Sequence, residues 1–230
     1  MIFYIILICF LIIHIKFSYD LVQFNPQAKV IQLQSLNPIT ISQSIQQKSP
    51  IIIYNTPLQK SYDFLSISKS NPGYIIQDNH KQVLLQSIID SNTPAHTYQN
   101  KQLSNDIFLT QDLQIISDQF KHNLSFNESI SISLMKHFNS LPLSKVTNDL
   151  YIFYQVYGNT TFYLINPKHK LDIQNKSNSQ IKKWAHKINL SKGLMLVIPP
   201  EWYYFFETDN SILGTISCDS YFTYLFNLIR

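Results

Sequence analysis

The sequence predicts a mainly β chain of the α+β kind: a double-sheet barrel from the second half, helices from the first half, and one hydrophobic helix at the N-terminus. Three observations lead there. Beyond Leu150 the chain reads as short runs of alternating apolar and aromatic residues, the pattern of strands with one buried face. Turn residues divide those runs at Gly158-Asn159, Lys192-Gly193, Pro199-Pro200 and Asp209-Asn210, a spacing typical of sandwiches and barrels. The first half carries helical spacing instead, with Ile107, Leu109, Leu113, Ile116 and Phe120 on one face.

Taken in order, Met1 to Phe17 is an apolar run interrupted late by His14 and Lys16. Spanning a bilayer takes about 20 residues, and Met1 to Asp20 just reaches that, so residues 1–20 are expected to form a membrane anchor in preference to a cleaved leader. Residues 21–230 form one domain. Val30 to Gln34 is a short strand, and Thr40 caps a helix over Ile41 to Gln47. Pro50 to Tyr54 is a fully apolar strand, Asp63 to Ser68 fits either state, and Tyr74 to Gln77 is a strand after the Asn71-Pro72-Gly73 turn. Gln82 to Asp90 and Leu103 to Lys121 read as helices, and Ile130 to Met135 as a strand.

The stretch from Ser144 to Pro167 organises the rest. Leu150, Ile152, Tyr154 and Val156 alternate in one run, and Phe162 and Leu164 continue in another. Gly158-Asn159 between them supplies the positive φ of a short hairpin loop. Strands follow at Trp184 to Leu190, Leu194 to Ile198, Trp202 to Glu207, Ile212 to Ser217 and Tyr221 to Phe226. Lys168 to Lys183, rich in Lys, Asn, Ser and Gln, is expected to be a mobile loop.

Composition narrows the function. Hydrophobic residues make up 45% of the 230, enough to bury a sizeable core, and the net charge of +4 comes from scattered basic residues. Without a basic stripe to track phosphates, nucleic acid is not an expected partner. Cys9 lies in the apolar leader and Cys218 alone in the domain, so neither an internal disulfide nor a Cys/His zinc site is expected. Five glycosylation sequons fall at Asn123, Asn127, Asn159, Asn175 and Asn189. No G-x-S-x-G elbow, P-loop or dinucleotide glycine pattern occurs. Trp184 and Trp202 read as core, and Glu201 and Glu207 as loop and strand-edge polar residues.

Two segments of the strand-rich half resemble the JmjC and cupin-like hydroxylase family. Its first signature runs His-x-Asp, then a strand ending Gln-x-x-Gly-x-Lys, then a strand closing near Pro; Gln155-Val156-Tyr157-Gly158 and Asn166-Pro167 stand in the later places. Its second runs Gly-Asp, an apolar strand, then Ile-Pro-x-x-Trp-Trp-His; here Gly193-Leu194 and Ile198-Pro199-Pro200-Glu201-Trp202-Tyr203-Tyr204 stand there. PIIIYN at Pro50 to Asn55 and LPLSKVT at Leu141 to Thr147 are similar to earlier family segments. The resemblance covers most of Val30 to Arg230 and implies a double-stranded β-helix, the jelly-roll or cupin-like barrel.

The same resemblance implies which residues an enzyme would need. Family members hold Fe(II) with two His and one carboxylate. Counting from the motifs, those positions fall on Lys145, Thr147 and Tyr204, and the Lys that pairs with the 2-oxoglutarate carboxylate falls on Thr160. None suits its role. Asp149 would supply a carboxylate only after a register shift, and His137 and His186 match no motif position. Tyr154, Tyr203, Tyr204, Phe205 and Phe206 are expected to fill the space that hydroxylases keep open.

The expectation is therefore a pseudoenzyme without cofactor or metal: a membrane-anchored structural or accessory subunit among other protein subunits, in the mitochondrial inner membrane or the secretory-pathway lumen. The alternatives are an Fe(II)/2-oxoglutarate-dependent hydroxylase with displaced ligands, and a metal-free small-molecule-binding cupin, which requires an open, polar-lined pocket.

Overall fold

A computed structural model describes residues 2–56, 58–78, 81–120, 125–137 and 140–229. The Asn123 sequon and the end of the expected Leu103–Lys121 helix lie outside them. The chain is mixed α/β, with a large mixed sheet and an N-terminal helix.

Helix α1 (Ile2–Val22) opens the chain. Strand β1 (Ile31–Leu33), helix α2 (Pro38–Gln46) and strand β2 (Ile51–Ile53) follow. Asn37, not Thr40, caps α2: its Oδ1 accepts from the Ile39 and Thr40 N–H groups, and Pro38 starts the first turn. Helix α3 (Phe64–Ser70) resolves the ambiguous stretch through a capping box between Asp63 and Ser66. The expected helix Gln82–Asp90 is instead strand β4 (Lys81–Leu84), paired with β3 (Ile75–Asp78), and a short helix α4 (Leu85–Ile89). Strand β5 (Ala95–Asn100) was not expected. The long helix is two, α5 (Lys101–Asp106) and α6 (Leu109–Ser117), broken at Phe108, whose φ of 64° no helix accommodates.

Strands β6 (Ser125–Lys136) and β7 (Ser144–Lys145) lead into the central correction. Gly158-Asn159 is not a hairpin turn. Strand β8 runs unbroken over Leu150–Ile165, and β11 over Tyr203–Ser220 pairs antiparallel along its length. The ribbon they form bends sharply: Phe153 and Phe162 lie nine residues apart on β8, about 30 Å if straight, yet their ring centroids are 4.8 Å apart. Gly158 permits the bend. It has φ +74°, and a Cβ there would overlap the Asn210 carbonyl oxygen on β11. Register shifts flank the bend, between Thr208 and Ser211 and between Ile212 and Leu213. Side chains on β8 therefore change phase: Ile152, Tyr154 and Val156 face the helices, whereas Phe162 and Leu164 join Phe153 inside the fold.

Each half of the ribbon recruits different neighbours. The start of β8 pairs with β10 (Met195–Ile198), which pairs with β2 and through it with β1 in parallel. The end of β11 pairs with β6, and β6 with β5. Beyond the bend, β8 pairs with β9 (Ala185–Ser191) and β11 with β7. One apolar cluster fills the space between the strands and α3 to α6; a second, with Phe153, Phe162, Leu164, Tyr204 and Phe206, fills the inside of the bend.

Two further expectations fail. Residues 168–183 are not a loose loop: α7 (Lys170–Ile173) and α8 (Asn178–Ile181) pack Ile173 and Ile181 against Tyr163 and Phe205. Tyr221 to Phe226 is not a strand but the start of helix α9 (Tyr221–Ile229). The Ser220 hydroxyl accepts from the Thr223 N–H at its first turn, and the Phe222 ring contacts Phe10, His14 and Phe17 on α1. Among the described residues no helix is long and apolar enough to cross a membrane. Leu7, Ile8, Leu11, Ile12 and Ile15 of α1 are nevertheless exposed, as are Leu228 and Ile229 of α9.

Candidate functional site

At one end of the bent ribbon β6 and β11 line a cavity of about 210 Å³. Strand alternation sorts its lining. Ile130, Ile132 and Leu134 of β6 face the helices, so Ser129, Ser131 and Ser133 turn the other way. In the β6–β11 register Ser131 stands opposite Thr215 and Ser129 opposite Ser217, and these four hydroxyl residues line the cavity. Thr215 is only 2% exposed, and its Oγ1 has no hydrogen-bond partner among the described residues. An unpaired buried hydroxyl costs about 1–3 kcal/mol.

Phenols close the inner wall. The Tyr204 hydroxyl donates to the Tyr151 hydroxyl at 3.2 Å and lies 3.5 Å from that of Tyr98. Gln99 Nε2 donates to Tyr98 at 3.3 Å and also to Tyr151. Burial raises all three phenols above their ordinary range, so each keeps its proton and serves as a hydrogen-bonding group, not as a phenolate.

Lys145 completes the rim from β7. Its Nζ lies 2.5 Å from Glu201 Oε2, with both side chains largely buried. Glu201 sits at φ 71°, strained for a residue with a Cβ, and its N–H donates to the Val146 carbonyl at 2.8 Å. Glu201 is thus more than a loop polar residue: it neutralises Lys145. Among the described residues lining the cavity, none carries a carboxylate.

The four positions singled out by the motif resemblance divide. Lys145 and Tyr204 line the same cavity. Thr147 is not among its lining residues, and its carbonyl accepts from Asn227 on α9. Thr160 lies beyond the bend, buried, with its hydroxyl donating to Ser211 at 3.2 Å. Asp149 does not turn toward the cavity: its carboxylate accepts from the Ser220 N–H and the Thr223 hydroxyl, holding the start of α9. His137 lies beside Asp209, and His186 is exposed on β9. Among the described residues no three His, Cys, Asp or Glu side chains come together as a metal would require.

The expected aromatic plug is dispersed. Only Tyr204 of the five lines the cavity. Phe206 lies deeper, against Phe153 and Phe162. Tyr203 and Phe205 sit on the opposite face with the third apolar cluster. Tyr154 faces the helices and donates to the Thr56 carbonyl. Trp202 is fully buried, whereas Trp184 is half-exposed under the ammonium groups of Lys176 and Lys183. Glu207 pairs with Lys182 at 2.7 Å and takes no part in the site.

Sequence reasoning missed Gln99, Lys101 and the four-hydroxyl ladder. The signal was present in Ser129-Ile130-Ser131-Ile132-Ser133, whose polar half reads as a solvent face until the bend encloses it. A second, mostly apolar hollow of about 550 Å³ lies between α1, α2 and the end of β11, with Asp149 and Asp219 on its lining. No protein-family model matches the chain, and no curated protein matches it.

Proposed function

We propose that the chain is a non-catalytic domain of the JmjC and cupin-like kind, built as a jelly-roll barrel and held at a membrane by its N-terminal helix, where it acts as a structural or accessory protein. One observation carries the reading: the side chains at the expected metal positions are engaged by other neighbours or lie outside the cavity. Lys145 is ion-paired with Glu201, Tyr204 shares protons with other phenols, and Thr147 does not line the cavity. A protonated Lys and a protonated phenol are poor iron ligands. A large mixed sheet whose central ribbon folds back over one apolar cluster supports the barrel part of this reading. The exposed apolar residues of α1 and α9 support membrane attachment, because water-facing patches of this kind mark interaction surfaces.

The test is metal content together with turnover. The full chain, purified in mild detergent and supplied with Fe(II), ascorbate and 2-oxoglutarate, is expected to bind no stoichiometric iron and to release no succinate above a protein-free control. Iron at one equivalent with succinate formed catalytically refutes the proposal.

A further inference from the structure

The polar end of the cavity carries chemistry that a scaffold leaves unused. Buried hydroxyls in proteins are nearly always hydrogen-bonded, yet Thr215 Oγ1 has no partner among the described residues. Valine fills nearly the same volume and carries no such penalty. The surrounding charge is one-sided. Lys101 is exposed at the rim, one cation beyond the Lys145–Glu201 pair, and no described lining residue is a carboxylate. Tyr151 and Tyr204 add phenolic hydroxyls to those of the ladder. The volume, about 210 Å³, equals roughly seven waters at ~30 Å³ each, which admits an organic molecule of about nine heavy atoms.

We propose that this cavity binds a small hydroxylated carboxylate of the four-carbon sugar-acid class, its hydroxyls meeting the Ser131–Thr215 and Ser129–Ser217 pairs and its carboxylate facing Lys101. The proposal rests on the non-catalytic reading above, since it treats the cavity as a receptor and not as a reaction centre. Ladder hydroxyls both donate and accept, as a vicinal diol does, and Lys101 selects the anion over the neutral polyol.

The probes are L-threonate, the neutral polyol threitol, and butyrate, which has the charge without the hydroxyls. Each is titrated by calorimetry into the full chain in mild detergent. Threonate is expected to bind saturably, at least about tenfold tighter than either control. Thr215→Val is expected to leave the melting temperature of the unliganded protein unchanged or higher, while weakening threonate about fivefold to tenfold. Lys101→Gln reduces threonate to the level of threitol and leaves threitol unaffected. Threonate no tighter than butyrate, Thr215→Val binding threonate like the parent, or Thr215→Val lowering the melting temperature by several degrees each overturns the proposal. Iron and succinate, measured on the same preparation, report on the scaffold reading separately. Catalytic turnover removes that reading and this one together; absent turnover with no threonate binding removes this one alone.

Discussion

Gly158→Ala distinguishes a bent, continuous strand from the hairpin that the local sequence predicts. In a hairpin loop the new methyl would meet solvent, and the cost would be the positive-φ penalty alone, about 1–2 kcal/mol. In the bent ribbon the same penalty applies at φ +74°, and the Cβ also falls well inside 3.0 Å of the Asn210 carbonyl oxygen. Relieving that overlap takes roughly an ångström of separation between β8 and β11, because ordinary carbon–oxygen contacts stay near 3.3 Å. The obstacle is backbone, and it lies beside the Gly158–Ser211 pairing, so one or two ladder hydrogen bonds at about 1 kcal/mol each are lost as well. The total is about 2–4 kcal/mol. Gly193→Ala is the internal control: φ is +82° but nothing lies within 4 Å of its Cβ, leaving only about 1–2 kcal/mol. Urea midpoints of both variants against the parent, read by tryptophan fluorescence at constant detergent, give the comparison. Equal losses for Gly158→Ala and Gly193→Ala would refute the bend.

Two further expectations concern charge. Burial, reinforced by the neighbouring Asp149 charge and opposed by hydrogen bonds from Asn148 and the Asp149 N–H, pushes the Asp219 carboxyl from its ordinary 3.8 up to about 6. The folded protein then holds a proton that the unfolded chain releases, so this stabilisation is complete below pH 3.8 and is lost as pH rises to about 6, by at most about 3 kcal/mol. Asp219→Asn is expected to flatten that fall; an unchanged slope of urea midpoint against pH between 4 and 6 removes the argument. Lys145→Met removes the ammonium 2.5 Å from Glu201, which is only 13% exposed. The expected loss is about 2 kcal/mol, between exposed and fully buried pairs, and Lys145→Met/Glu201→Gln should recover most of it in a double-mutant cycle.

Elements whose own residues decide their state were legible. Ile51 to Ile53 is apolar throughout and is an interior strand, and β10 falls where its pattern places it; α2 was legible as a helix but begins at Pro38 under the Asn37 cap, not at Ile41. Elements decided at a distance were not. A bulge and a turn ask for the same backbone freedom, so Gly158-Asn159 carries one local signal for two outcomes. Only Asn210, on a strand some fifty residues later, chooses between them. Tyr221 to Ile229 is apolar except for Thr223 and Asn227, whose four-residue spacing is too short a pattern to read alone; docking of Phe222 on α1 and the Asp149 and Ser220 hydrogen bonds at its first turn settle it as helix. At the site, Lys145 and Tyr204 were placed together by the motif resemblance, whereas the hydroxyl ladder was hidden because alternating serines look identical whether they face water or an enclosed mouth.

A metal centre needs several lone pairs aimed at one point, and without the ion those groups repel one another or stand unsatisfied. The mouth of this fold is built the other way. Lys145 has Glu201, Tyr204 has Tyr151, and Asp149 has Ser220 and Thr223, so the groups nearest the expected metal positions are stable with nothing bound. Unmet hydrogen-bonding capacity remains on Thr215 in the adjacent β6–β11 face, as it does on Gln155 Oε1 of β8 and His14 Nδ1 of α1. A neutral hydroxyl cannot concentrate charge as a carboxylate or an imidazole does, but it can recognise another hydroxyl. That physical ground supports the proposal of recognition without chemistry in this cavity.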